Sequence, residues 1–142
     1  PLRTSRPRLL AGIGVVDEAY IHFAKEKSLV GEIRDFPNLV VLQTFSKAWG
    51  LAGLRVGLAF ARPEIIELFN RVKPPYNVSQ IAQAAILEAL ENKASVEETI
   101  REIVGEREKL VERLKEFSFV LKIHPSDANF VLAKTTDAER IY

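Results

Sequence analysis

Within Thr44-Phe45-Ser46-Lys47-Ala48-Trp49-Gly50-Leu51-Ala52-Gly53-Leu54-Arg55-Val56-Gly57 lie one lysine, one arginine, a serine and three glycines. A lysine amine can add to a carbonyl carbon to form an imine. An arginine offers a planar fork of donors suited to phosphate oxygens, a geometry lysine cannot copy. Gly50, Gly53 and Gly57 permit tight backbone passage and positive φ values. Together these residues suggest a covalent cofactor site with an anion clamp. The alternative is a polar loop with two solvated cations. A second group that could do chemistry lies upstream, where Val15-Val16 lead into Asp17-Glu18-Ala19-Tyr20.

These residues need elements to hold them. Val15-Val16 begin a short buried strand ending at Asp17, and Leu39 to Thr44 form a second. The second is continuously apolar and partly β-branched, as in a strand covered on both faces. Val56 to Phe60 form a third. Asp17 and Lys47 each lie just beyond the carboxyl end of an apolar strand, where open α/β sheets bind ligands. Between the first two strands, residues 25–38 read as a charged surface connection with one helical turn around Leu29 to Ile33. Pro63 with Glu64 marks a helix start. Lys73-Pro74-Pro75 breaks that helix, and Ser79 caps the next one, Gln80 to about Asn92. Its alanine-rich face (Ala82, Ala84, Ala85, Ala89) allows close approach to a neighbour. A third helix is expected from about Val96 to Phe117, with an apolar stripe of Ile100, Ile103/Val104, Leu110/Val111, Leu114 and Phe117. Gly105 interrupts that stripe, so packing onto a sheet is favoured over a coiled-coil partner. Two strands, Phe119–Ile123 and Asn129–Ala133, flank a Pro125-Ser126-Asp127 turn, and Asp137-Ala138-Glu139 begins another helix.

Composition narrows the function classes. With 142 residues and 47% apolar content, the chain can bury a core. A net charge of +1 gives no footprint for nucleic acid or an anionic membrane. No apolar run approaches the roughly 20 residues that span a bilayer. Arg3, Arg6 and Arg8 precede an apolar patch, Leu9–Ile13, that is too short for a signal peptide. Absence of cysteine removes disulfides and thiolate metal sites, and two histidines leave a zinc site short of ligands. No metal is expected, and the cytoplasm is the default compartment. A nucleotide-binding P-loop is rejected, because the glycines follow Lys47 instead of preceding it.

A pyridoxal phosphate enzyme needs a lysine for the cofactor aldehyde and a carboxylate for the pyridine nitrogen. It also uses a phenol for the ring hydroxyl, with cations and hydroxyls for the phosphate. Lys47, Asp17, Tyr20, Ser46 and Arg55 are the right types. Val15-Val16-Asp17-Glu18-Ala19-Tyr20, Phe45 through Gly57, and Lys73-Pro74-Pro75-Tyr76-Asn77-Val78-Ser79 resemble the histidinol-phosphate aminotransferase family. The resemblance covers about residues 15–142. It implies that Lys47 forms the imine and then shuttles the substrate's α-proton as a neutral amine, which a buried, cation-rich site favours. It implies Asp17 at the pyridinium nitrogen, Tyr20 at the 3-hydroxyl, and Ser46 and Arg55 at the phosphate. The implied reaction moves an amino group between glutamate and imidazole-acetol phosphate in histidine biosynthesis. The substrates are thus histidinol phosphate and glutamate/2-oxoglutarate, and the family's dimer implies a homodimer.

The fold class expected from the resemblance is α/β: part of a large domain with a mostly parallel sheet and flanking helices, then the start of a smaller α+β domain. The corresponding division is an irregular segment 1–14 unlike the family, a cofactor-binding part 15–93, and the small-domain start 94–142. The chain reads as a central piece of something longer. Without the family's N-terminal phosphate loop and its C-terminal substrate-clamping arginine, it is expected to be inactive alone. Two alternatives stay open. One is another reaction on the same scaffold, such as decarboxylation of an amino-acid phosphate. The other is a non-catalytic interaction module. Trp49 reads as packing, Tyr76 and Asn77 as a helix-leading loop or near a dimer interface, and His22 and His124 as surface or structural residues.

Overall fold

The computed structural model describes residues 12–141. The expectation of an irregular start at 1–14 lies outside the described residues up to position 11. Gly12 and Ile13 are irregular, and strand β1 (Gly14–Asp17) begins at Gly14. It pairs in parallel with β2 (Leu39–Thr44), with Asp17 opposite Leu42. The crossover between them contains 3-10 turns at Ile21–Phe23 and Leu29–Glu32, the second matching the helical turn expected there. Leu39, Val40 and Val41 are buried in succession, so both faces of β2 are covered.

β3 (Gly57–Phe60) pairs with the other edge of β2, giving the order β1-β2-β3. Its direction is antiparallel, with Thr44 opposite Gly57 and Val41 opposite Phe60. Thus β1/β2 supplies the expected parallel pairing, and β3 is an antiparallel member. The cause lies in the connection. A parallel neighbour needs a crossover, whereas the chain from Phe45 to Val56 turns back beside the strand it has just left. Val56, expected inside the strand, lies before it and packs with Phe45 and Ala82.

Helix α1 (Pro63–Val72) starts at the proline, and α2 (Gln80–Glu91) starts after Ser79, whose hydroxyl accepts from Ala82 N at 3.1 Å. The small side chain of Ala82 lets α2 approach Phe45 and Val56 closely, with Trp49, Leu51 and Ile86 around them. After Asn92, α3 (Lys93–Leu114) follows at once. It begins and ends three residues earlier than the expected Val96–Phe117. The i,i+4 pair Lys93–Glu97 supports its first turn, and backbone turns take over past Leu114. β4 (Val120–Ile123) and β5 (Ala133–Thr135) form a separate antiparallel pair, and α4 (Ala138–Ile141) closes the described chain.

The strand expected at Asn129–Ala133 is displaced to Ala133–Thr135. Ser126 explains the shift: its hydroxyl accepts from Ala128 N at 3.2 Å and donates to Phe130 O at 2.5 Å, holding 126–130 as a turn. Asp137 caps the last helix by accepting from Arg140 N.

The burial of β2 sets a testable scale. Leu39→Ala, at a side chain 1% exposed, is expected to destabilise the chain by about 2–5 kcal/mol in urea unfolding. Val72→Ala, at a side chain 81% exposed, is expected to stay within about 0.5 kcal/mol.

Candidate active site

The strand directions bring the chemical residues together. β1 and β2 run in parallel, so Asp17 and the segment after Thr44 emerge at the same edge of the sheet. β3 enters from that edge at Gly57, so Arg55, two residues earlier, is at the edge as well. The end of β1 and the loop between β2 and β3 therefore put a carboxylate, a hydroxyl, an amine and a guanidinium at the same end of the sheet.

Local hydrogen bonds shape the loop that carries most of them. Thr44 Oγ1 donates to Val56 O at 3.3 Å and accepts from Ser46 N at 3.0 Å, tying the two arms together. Phe45 N bonds Val56 O, Leu51 N bonds Phe45 O, and Gly50 N bonds Lys47 O. Phe45 and Ala48 are buried anchors, so Ser46 between them is half-buried and Lys47 projects outward. The expected buried setting for Lys47 is thus corrected: its side chain is exposed, because the buried positions of the loop go to its apolar neighbours.

The glycines divide differently from the expectation. Gly50 has φ +68, as a left-handed turn requires. Gly57 allows close approach, since a Cβ there would stand 3.3 Å from Gln43 O. Gly53 shows neither need. The other left-handed residue of the loop is Arg55 itself (φ 56, ψ 43), with its guanidinium donating to Ala52 O at 3.1 Å. A non-glycine residue in this region is uncommon, and here it ends the short 3-10 turn Ala52–Leu54 just before β3.

On the facing side, Asp17 is exposed and accepts from Ala19 N through Oδ1 at 2.9 Å. Asp17 and Tyr20 line an open cleft of about 540 Å³ together with Pro125–Ala128 and Phe130. The Tyr20 ring meets Phe130 edge-to-face at 5.6 Å between centroids. Lys47 Nζ lies 5.3 Å from the centroid of the same Tyr20 ring. Tyr20 therefore faces both the Lys47 side chain and the cleft. Among the described residues neither Lys47 nor Arg55 forms an ion pair, so no carboxylate there competes with a ligand for either side chain. A lysine, two acceptor or donor oxygens, a phenol and a guanidinium at one sheet edge fit pyridoxal phosphate by type. No group of three or more histidine, aspartate or glutamate side chains among the described residues could hold a metal ion.

Three residues around the site escaped the sequence reading. Glu18, next to Asp17, is the buried acid: it accepts from Ser28 Oγ (2.6 Å), Leu29 N (2.7 Å) and Gln43 Nε2 (3.0 Å). It thereby ties the end of β1 to the crossover and to β2. Arg107, 9% exposed, donates to Ala128 O at 2.6 Å and to Phe23 O at 3.4 Å. Its signal in the sequence is a cation on the apolar stripe, one turn from both Val104 and Val111. Phe130 had no signal beyond its type.

His22 is half-buried, with its ring edge-to-face to Trp49 at 6.1 Å and, among the described residues, no hydrogen-bond partner for Nδ1. Trp49 packs on Phe45 as well, which accords with its reading as a packing residue.

Open α/β sheets bind ligands at the carboxyl ends of their parallel strands, where Asp17 and the Ser46-Lys47 pair lie. A family model described as aminotransferase class I and II matches residues 10–141. The chain belongs to that family. Histidinol-phosphate aminotransferase of Cytophaga hutchinsonii is 49% identical over 132 residues, 93% of this chain and 38% of that protein. The crystal structure of histidinol-phosphate aminotransferase from Sinorhizobium meliloti in complex with pyridoxal-5'-phosphate superposes with a TM-score of 0.77 at 31% identity, covering 88% of this chain and 34% of that one. That of L-threonine-O-3-phosphate decarboxylase from Porphyromonas gingivalis gives 0.76 at 26% identity, covering 87% of this chain and 37% of that one. The chain spans 38% of the length of the Cytophaga relative.

The environment of His22 generates a pH prediction. Burial lowers its pKa below 6.5, against the raising influence of Glu18 and with a further lowering by Lys93. The unfolded chain then binds the proton more readily, so this contribution to stability is full above pH 6.5 and is lost as pH falls through the folded value. His22→Phe, which keeps a ring against Trp49, is expected to flatten that loss. Urea midpoints measured on both sides of pH 6.5 check it.

Proposed function

We propose that this chain carries the cofactor-binding core of a pyridoxal phosphate-dependent aminotransferase. Its reaction moves an amino group between glutamate/2-oxoglutarate and the histidinol phosphate/imidazole-acetol phosphate pair of histidine biosynthesis. The observation that carries this reading is the placement of Asp17, Ser46, Lys47 and Arg55 at one sheet edge, with Lys47 Nζ 5.3 Å from the Tyr20 ring centroid. The 49% identity to a histidinol-phosphate aminotransferase supports the choice of substrate.

Bound at this edge, pyridoxal phosphate supplies an electron sink for negative charge at the substrate α-carbon. Lys47 Nζ would hold the cofactor covalently and, once displaced by the substrate's own amine, would serve as the neutral amine that takes the proton from the substrate α-carbon. Asp17 keeps the ring nitrogen protonated by pairing with it. The Tyr20 hydroxyl donates to the 3-oxygen of the ring. Ser46 and Arg55 hold the phosphate, the serine from the turn fixed by Thr44 and the arginine from its left-handed backbone position. In this reading residues 15–93 form part of the cofactor-binding domain and 94–142 begin a smaller one, in keeping with the separate β4–β5 sheet. A homodimer goes with this role, and it gives Tyr76, 99% exposed at φ 59, a surface to meet. A cytoplasmic location suits a biosynthetic reaction.

Decarboxylation of an amino-acid phosphate is the second reading, favoured by the near-equal likeness to the threonine-phosphate decarboxylase. It uses the same cofactor residues and differs in releasing carbon dioxide, so product analysis with both substrate types separates the two.

Two outcomes test the site. Incubation with pyridoxal phosphate, borohydride reduction and peptide mapping is expected to label Lys47 stoichiometrically, with the label lost in Lys47→Ala. A folded chain labelled at scattered lysines or at none contradicts the assignment and favours the interaction-module alternative. Arg55→Asn, which tolerates the left-handed backbone, removes a charge-assisted contact of about 1.5–3 kcal/mol. It is expected to weaken cofactor binding about 10- to 100-fold in an absorbance titration.

A further inference from the structure

Arg107 is a buried cation with no carboxylate partner among the described residues. A guanidinium cannot shed its proton in a protein, and burying an unpaired charge is costly unless hydrogen bonds offset it. Arg107 finds those bonds on two backbone carbonyls from distant segments, Ala128 O at 2.6 Å and Phe23 O at 3.4 Å. Neither carbonyl lies in an α-helix or a strand. Each lies in a short turn, and each turn carries one ring of the Tyr20–Phe130 pair.

The first turn is Ile21–Phe23, which begins where Tyr20 ends: Phe23 N bonds Tyr20 O at 3.0 Å, and Ala24 N bonds Ile21 O. The second is the 126–130 turn, closed by Ser126 on Ala128 N and Phe130 O. The Tyr20 and Phe130 rings meet edge-to-face between these turns at 5.6 Å, on the wall of the cleft that Asp17 also lines. One side chain on α3 thus bonds a carbonyl in each of the two turns.

We propose that Arg107 is a positioning residue for Tyr20. By clamping Phe23 O and Ala128 O together, it presses the Phe130 ring against the Tyr20 ring and fixes where the phenol donates. The role rests on the reading of Tyr20 as donor to the cofactor's 3-oxygen. It also couples α3, which enters neither the sheet edge nor the Lys47 loop, to the electronics of the bound cofactor. A merely structural Arg107 would support stability and leave those electronics alone.

The test uses Arg107→Met, Arg107→Lys, Phe130→Leu, Tyr20→Phe and the double variant of Arg107→Met with Tyr20→Phe. In cofactor-free protein, ring-to-ring NMR contacts between Tyr20 and Phe130 are expected to be lost in Arg107→Met and kept in Arg107→Lys. With pyridoxal phosphate bound, the pH midpoint of its absorption band is expected to move in Arg107→Met in the direction seen for Tyr20→Phe. The expected move is on the order of half a pH unit, about threefold in the proton equilibrium. Arg107→Met is expected to add nothing in the Tyr20→Phe background. An unmoved midpoint with ring contacts intact overturns the proposal, as does a shift that adds in full to Tyr20→Phe. If Arg107→Met fails to fold, Phe130→Leu decides: a shifted midpoint supports the coupling and an unshifted one overturns it. If the unaltered protein binds no cofactor at Lys47, the functional reading fails instead. The ring contacts in cofactor-free protein then still decide whether Arg107 sets the pair.

Discussion

The parallel pairing of β1 with β2, followed by the antiparallel return of β3, is the constraint on which the rest depends. Parallel neighbours share the edge at which they end, and an antiparallel neighbour begins where its partner stops. Asp17, the Ser46-Lys47 pair and Arg55 share one end of the sheet because of those two rules. The burial of Leu39, Val40 and Val41 holds β2 at the centre and so fixes the edge from which the chemistry projects. A one-residue slip of β2 would exchange its faces and dismantle the meeting point.

The loop after β2 solves a second problem, which is to expose a lysine without loosening it. Phe45 sinks into the core with Val56 and Ala82, Ala48 is buried as well, and Thr44 ties the loop to its return arm. Lys47 is left outside on a bend whose backbone is bonded at Phe45, Gly50 and Leu51. Glu18 does the corresponding work on β1. Its three accepted hydrogen bonds bury one acid of the Asp17-Glu18 pair and leave the other facing the cleft. Neighbouring carboxylates therefore take different tasks, one holding the crossover and one available to a ligand.

Much of this was legible in the residues. The apolar run Leu39–Leu42 marks β2, Pro63 and Ser79 mark helix starts, and the lysine-glycine-arginine spacing marks the loop. What was not legible depended on long-range pairing. Hydrophobicity says that Gly57–Phe60 is a strand but carries no sign of its direction. Positive φ was expected of glycines, yet Arg55 takes it because the chain must turn sharply from the Ala52–Leu54 turn into β3. Arg107 sat in the open on an apolar stripe. Its partners are carbonyls 21 and 84 residues away, which no local pattern encodes. Ser126 likewise moved β5 by holding a turn where a strand was expected.

The central claim is that one ligand engages the end of β1 and the loop after β2 together. Hydrogen exchange with and without pyridoxal phosphate measures this directly. The cofactor is expected to slow exchange in both segments, around residues 17–20 and 45–57, with little change in α1. Slowing confined to one segment, or none in either while the chain stays folded, would contradict a shared site at this sheet edge.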